Sequence, residues 1–203
     1  MNPERKIGII DTHDFDALLN SFPPPLYRHS HRVAIYSFII AEHAIKFLRL
    51  CDLTGGKRFS EVVHLGSSCH DLGKLLLLDQ DKEYKEHPSI GAYLLKDYKK
   101  DLIDEEELQT AVLETVNLHH EQPNGNGFPN KINSSEIPIH VGFCSVANAL
   151  DHRLTKKDKD TCIDEILESI KRQAGTVFCE IAVECLISAW KCIVKRYGEW
   201  DLE

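Results

Sequence analysis

The stretch "HHEQPNGNGFP", residues 119–129, sets two adjacent histidines and a glutamate just ahead of a turn rich in proline and glycine. Upstream, Leu108, Val112 and Thr115 recur at three- and four-residue steps, one face of an α-helix, and His119 falls on the same stripe. His120 falls on the neighbouring stripe with Leu113 and Val116. An imidazole facing a core has to be satisfied by a hydrogen bond or by a ligand. For a single histidine the plain reading is a satisfied core or surface residue. Two in succession at the end of a core stripe point to an inward-facing pair able to hold a metal.

The rest of the chain reads as helical almost throughout. Val33, Ser37, Ile40, Ala44 and Phe47 mark one face of a long helix expected to begin near His29, after a stiff extended lead-in, "SFPPPLY", at 21–27. "FSEVVHLGSSCHDLGK" predicts a helix capped by Ser60, with Gly73 turning the chain, and "HPSIGAYLLKDY" another. Asp104 and Glu107 suit a capping box for the helix that carries His119. Pro138 suits the first turn of the next, whose stripe is Ile137, Val141, Cys144, Asn148 and Asp151. Thr161 and Asp164 offer a further capping signal, and "FCEIAVECLISAWKCIVKRY" is a last apolar helix expected to stop near Gly198. The only strand candidate is the short "KIGIID". The expected class is all-α, a compact helical bundle, with residues 1–28 as lead-in and 29–203 as the folded domain.

Composition narrows the function. The 203 residues are 42% hydrophobic and 28% charged, enough for one domain with a sizeable core. A formal charge of −8 argues against non-specific binding to nucleic acid or to an anionic membrane. No apolar run approaches the ~20 residues of a membrane-spanning helix, and "MNPERKIGIIDTHDF" meets charge too early for a secretory signal. Seven cysteines without a C-x-x-C pair fit a reducing compartment, so a cytoplasmic location is expected.

Chemically related words recur on successive helices. "HDLGK" at 70–74 sets His70 and Asp71 side by side at a helix end, with Lys74 just beyond; His29 heads "HSHRVA" and His87 opens "HPSIG". Imidazoles with a carboxylate able to bridge are what a non-thiolate transition-metal site needs. No serine or cysteine triad stands out, and "GGK" at 55–57 lacks the spacing of a phosphate-binding P-loop. The remaining histidines (13, 31, 43, 64, 140 and 152) read as solvated or locally paired, "KKDKD" at 156–160 as an exposed loop, and Trp190 and Trp200 as packing residues.

The order H…HD…HP…HHE…GxGFP over residues 29–190, closing with "AGTVFCEIAVECLI", resembles the HD-GYP family, a branch of the HD superfamily of metal-dependent phosphohydrolases. That resemblance implies an all-α fold and two divalent transition metals, iron or manganese. It implies a phosphodiesterase acting on a cyclic dinucleotide, cyclic di-GMP first, through a metal-bridging hydroxide. It places His29, His70 and Asp71 on one metal, with Asp71 bridging to a second held by His87, His119 and His120. Asp71 and Lys74 would be catalytic, and Lys74, Gly125, Gly127, Phe128 and Pro129 would face substrate, Phe128 standing where the family has tyrosine. Regulation would come from a partner protein or a homodimer.

The departures from the family pattern are specific. Asn148 stands where the family has a further metal aspartate, and an amide is neutral and a poorer ligand for a divalent ion. Asp151, one helical turn on, is expected to keep a structural role. Pro25 replaces a glutamate that holds a third metal in some members, so a third metal is not expected. The stretch from HD to HP is shorter than usual, and "TKKDKD" replaces an Arg-Pro-Tyr segment. These departures keep open a catalytically degenerate module that binds metal, nucleotide or a partner as a sensor. A metal-free helical adaptor is the remaining alternative.

Overall fold

The computed structural model describes residues 15–48, 57–77, 84–98, 106–158 and 161–200. Eight α-helices lie there and no strand: α1 (Phe15–Asn20), α2 (Pro24–Leu48), α3 (Lys57–Cys69), α4 (His87–Leu95), α5 (Glu106–Leu118), α6 (Ile139–Lys156), α7 (Ile163–Lys171) and α8 (Glu180–Trp200). Short 3-10 turns at Leu72–Leu76 and Tyr84–Glu86 follow α3 and precede α4. The class is all-α. The "KIGIID" segment and the capping residue Asp104 lie outside the described residues.

Several helix ends differ from the expectation. α2 starts at Pro24, so Pro24 and Pro25 occupy its first turn rather than an extended lead-in. The missing proline N–H matters least there, because first-turn amides have no partner within the helix. α3 starts at Lys57, which leaves Ser60 inside the helix, its hydroxyl donating to Glu42. The residue before α7 is Cys162 and makes no side-chain cap; Thr161 bonds Asp158, and Asp164 accepts the Trp190 indole N–H. α8 runs through Gly198 to Trp200.

Two apolar clusters form the core. The larger joins α2 (Val33, Tyr36, Ile40), α6 (Phe143, Val146, Leu150), α7 (Ile166, Ile170) and α8 (Leu186, Ala189, Ile193). The smaller joins α1 (Leu18), α3 (Val62, Cys69), α4 (Ala92, Leu95) and α5 (Leu108, Val112, Val116), and Phe22 packs into it. α3 serves both, because Phe59 and Val63 face the first cluster while Val62 and Cys69 face the second. Burying each of the valine, leucine, isoleucine and phenylalanine side chains among these contributes about 1.5–3 kcal/mol before conformational entropy is set against it.

The junction that matters for function is the seating of α4 on the turn after α3. A Cβ built on Gly73 would lie 2.0 Å from the His87 carbonyl oxygen and 2.6 Å from the Gly91 nitrogen. Gly73 does not turn the chain through a left-handed conformation; among the described glycines only Gly125 and Gly175 have positive φ. It lets two backbones touch, and so brings His87 up to Asp71. Gly73→Ala is expected to lower the melting temperature and the metal content together. Unchanged melting, followed by circular dichroism, would show that α4 does not need this close approach.

Candidate metal centre

Four of the five candidate site histidines are anchored through Nδ1. His70 Nδ1 donates to the Ser67 carbonyl at 2.7 Å and His119 Nδ1 to the Val116 carbonyl at 2.8 Å. His87 Nδ1 donates to the Tyr84 carbonyl. All three bonds reach back three residues, so a helix end or a 3-10 turn supplies the acceptor. His29 Nδ1 donates to Asp151 Oδ2 at 2.7 Å, and Asp151 is also gripped by Arg32 at 2.6 and 3.0 Å. A carbonyl or carboxylate can only accept, so the proton sits on Nδ1 and the lone pair on Nε2.

Those lone pairs converge on one carboxylate. Asp71 is fully buried, with Oδ2 3.5 Å from His29 Nε2 and 3.4 Å from His70 Nε2. Its Oδ1 lies 3.2 Å from His87 Nε2 and 3.9 Å from His119 Nε2. His87 Nε2 and His119 Nε2 face each other at 3.2 Å, which in these tautomers sets lone pair against lone pair. His29 Nε2, His70 Nε2 and Asp71 Oδ1 are buried without a hydrogen-bond partner. Buried polar atoms normally have partners, and clustered nitrogen lone pairs beside a carboxylate are a donor set for a divalent cation.

The ligating atoms of His29, His70 and Asp71 lie within 4.8 Å of one another, and so do those of His87, His119 and His120. The six histidine and aspartate positions singled out in the sequence are thus gathered into two adjoining groups, and Asp71 turns one oxygen toward each. Asn148 is buried, its Oδ1 has no partner, and it lines a small cleft with His119, His120 and His152. Lys74 donates from Nζ to Asp71 Oδ2 at 2.6 Å and lies over the Tyr84 ring. Gly125, Gly127, Phe128 and Pro129 line an open groove of about 720 Å³, and Phe128 stacks on His120 with ring centroids 4.4 Å apart.

Electrostatics keep the imidazoles ready for a ligand. Burial, only partly offset by the Asp71 charge, pushes His70 down to about 3. Burial and then neighbouring histidines hold His119 and His120 well below the ordinary histidine range. Asp71 is held well below the ordinary carboxylate range although burial opposes its charge, and the Lys74 ammonium at 2.6 Å is its standing countercharge. Asp151 is likewise held low against burial by His29 and Arg32.

Sequence reasoning missed four residues. Glu121 is buried and accepts from the Asn130, Lys131 and Ile132 amides at 2.6, 3.2 and 3.2 Å, which fixes the loop that carries Phe128. Arg32 fixes Asp151. Tyr84, which burial pushes up to about 12, places its hydroxyl 3.2 Å from His120 Nε2. His152, read as bland, lies with its ring centroid 4.6 Å from that of His29 and lines the cleft beside Asn148. The glutamate directly after the histidine pair was a usable signal; the other three depend on which helices meet. Asp151 keeps its expected supporting role. Of the other bland histidines, His43, His64 and His140 have local partners in Ser188, Ala34 and Glu114, His31 stacks on Tyr27, and His13 lies outside the described residues.

Residues 26–153 match the family model described as the HD domain. The chain belongs to the HD domain family. HD domains are metal-dependent, and the two groups around Asp71 fit that requirement. The chain is 28% identical over 177 residues to 3'3'-cGAMP-specific phosphodiesterase 2 of Vibrio cholerae, covering 80% of this chain and 31% of that protein. It is 24% identical over 185 residues to a cyclic di-GMP phosphodiesterase of Thermotoga maritima, covering 84% and 46% respectively. The chain therefore spans less than half the length of these curated relatives. Among solved structures it is similar to Bd1817, an HDG"Y"P protein from Bdellovibrio bacteriovorus, with a TM-score of 0.60 and 19% identity over 87% of this chain and 56% of that one. The HD domain of Listeria monocytogenes PgpH, solved with cyclic-di-AMP, gives a TM-score of 0.54 at 18% identity, covering 95% of this chain and all of that one. No helix among the described residues is long and apolar enough to cross a membrane.

Two measurements follow. Between pH 6.5 and about 3 the unfolded chain binds protons that buried His70 refuses, so stability present above pH 6.5 is lost as pH falls through that window. Asp71 and Asp151, held below their ordinary 3.8, add a loss of the same sign at still lower pH. The urea midpoint of chelator-treated protein should therefore fall from pH 7 to pH 5; a flat midpoint would mean these imidazoles are not buried and neutral. Glu121→Ala should accelerate amide exchange at residues 130–132 and destabilise the chain by about 1.5–3 kcal/mol, the scale of hydrogen bonds to a charged group. Unaltered exchange there would remove Glu121 from the support of this loop.

Proposed function

We propose that the chain is a metal-dependent phosphodiesterase that hydrolyses a phosphodiester bond of a cyclic dinucleotide, cyclic di-GMP first. The observation that carries this reading is the convergence of unprotonated Nε2 atoms on both oxygens of Asp71. The relatives named for 3'3'-cGAMP and cyclic di-GMP support the substrate class. His29, His70 and Asp71 would hold one metal and His87, His119 and His120 a second shared through Asp71, with iron or manganese as the expected ions. Bound there, such ions supply activation of water and stabilisation of charge on the phosphoryl oxygens.

The protein's own groups do the positioning. Nδ1 bonds to carbonyls and to Asp151 hold the rings of His29, His70, His87 and His119 so that Nε2 points inward, and little reorganisation of them remains when charge develops. Lys74, fixed against Asp71, would add positive charge beside a phosphate held at the cluster. The Phe128 ring over His120, with the backbone of Gly125, Gly127 and Pro129, would form the wall against which a base or ribose rests.

Asn148 favours a second reading, a module that binds metal or nucleotide without turnover. A neutral amide with an unpartnered buried oxygen stands where the family's aspartate would bring charge. Turnover of cyclic di-GMP by protein supplied with manganese or iron separates the two. Under the first reading Asp71→Ala abolishes turnover and most metal binding; turnover that survives it would refute the bridging role. Asn148→Asp is expected to raise metal occupancy or rate, and an unchanged stoichiometry and rate would detach Asn148 from the lost ligand position.

A further inference from the structure

His152 borders a second, open groove of about 630 Å³, lined by the end of α6, by Lys157 and Thr161, and by α7. Arg153, Lys156, Lys157 and Arg172 line it, and Glu165 is the single carboxylate among its lining residues. In a chain of formal charge −8 this is a local reversal of sign. Arg153 Nη2 donates to Gln173 Oε1 at 2.8 Å, and its guanidinium lies 5.5 Å over the Phe178 ring, so the head group is held in place. Its Nη1 is buried without a hydrogen-bond partner. Among the described residues neither Arg153 nor Arg172 is in an ion pair. Burial, and then the charge of Arg172, push the Arg153 guanidinium below its ordinary value.

Among the described lining residues Glu165 alone faces four cationic side chains, and Arg153 keeps a buried N–H unused. A bound anion would use that N–H and offset the local positive charge. A fixed guanidinium fork matches phosphate oxygens in pairs, whereas lysines at the rim add only diffuse attraction. The place is also telling. His152 lines both this groove and the cleft that reaches His119 and His120. A ligand with two phosphates, one at the metal histidines, would pass His152 to set its other half here.

We propose that Arg153 and Arg172 form a phosphate subsite for the phosphodiester of a cyclic dinucleotide that is not being cleaved. The inference rests on the function proposed above and names how that site would hold two phosphates at once. Removing the arginines weakens binding of the whole ligand, because their contact is made before and after the chemical step alike.

The test is equilibrium binding of a non-hydrolysable phosphorothioate analogue of cyclic di-GMP to the manganese-supplemented chain, by calorimetry at two salt concentrations. The proteins are the unmodified chain, Arg172→Gln, Arg153→Gln/Arg172→Gln, and Lys191→Gln, which removes an equal charge from the exposed face of α8. The double variant should bind about tenfold or more weakly, as expected for lost charge-assisted hydrogen bonds, with a shallower salt dependence. Arg172 is exposed, so its single replacement keeps the fold and should show part of the loss, while Lys191→Gln shows none. Equal affinity for all four proteins would overturn the subsite and leave the proposed function standing. Equal losses for Arg172→Gln and Lys191→Gln would reduce the effect to net charge and overturn it too. No binding by the unmodified chain would overturn both readings, whereas tight, arginine-dependent binding without turnover of cyclic di-GMP would support the subsite and count against hydrolysis.

Discussion

A carboxylate in a protein interior needs positive charge or hydrogen-bond donors around it, and Asp71 is given mostly acceptors. Four imidazoles approach it through Nε2, and in each the proton is already committed to the other ring nitrogen. Lys74 supplies one countercharge. Left with only that, the group retains orphaned buried nitrogens and an unpartnered carboxylate oxygen, an expensive arrangement for a fold stabilised by a few kcal/mol overall. A cation between Asp71 and the rings resolves the imbalance on both of its oxygens. Much of the local structure can be understood as holding this arrangement in place.

Three devices do so. Histidines set three residues after a free carbonyl acquire a fixed tautomer from the backbone alone, which is why they sit at helix ends and on 3-10 turns. The contact of α4 with Gly73 lets His87 come within reach of Asp71, although it belongs to a different helix. The Arg32–Asp151–His29 chain ties α6 to α2 and aims His29 from the opposite side. The two apolar clusters supply the rigid frame, and α3, shared by both, carries the His-Asp pair at its end. The solved HD-domain structures, at under 20% identity, agree with the fold as a whole.

How much of this could be read from the sequence follows the range of the interactions. The candidate ligand histidines and Asp71 were legible because their types and order recur along the chain, and because the stripe through Val112 and Thr115 shows that His119 faces inward. The close approach at Gly73 was not, since a glycine near a helix end suggests a turn. Arg32, Tyr84 and His152 were illegible for one reason: each matters through a residue distant in the chain, and no local period records that meeting. The start of α2 was misplaced because three prolines read as extended chain, whereas a first helical turn tolerates them. Glu121 stood in plain view beside the histidine pair, but its three amide partners lie in a loop whose return path the sequence does not display.

The most direct measurement is anomalous X-ray scattering from crystals of the chain grown with manganese. The account predicts two peaks flanking Asp71, one against His29 and His70 and one against His87, His119 and His120. Peaks elsewhere, or none with those side chains in the same positions, would contradict it.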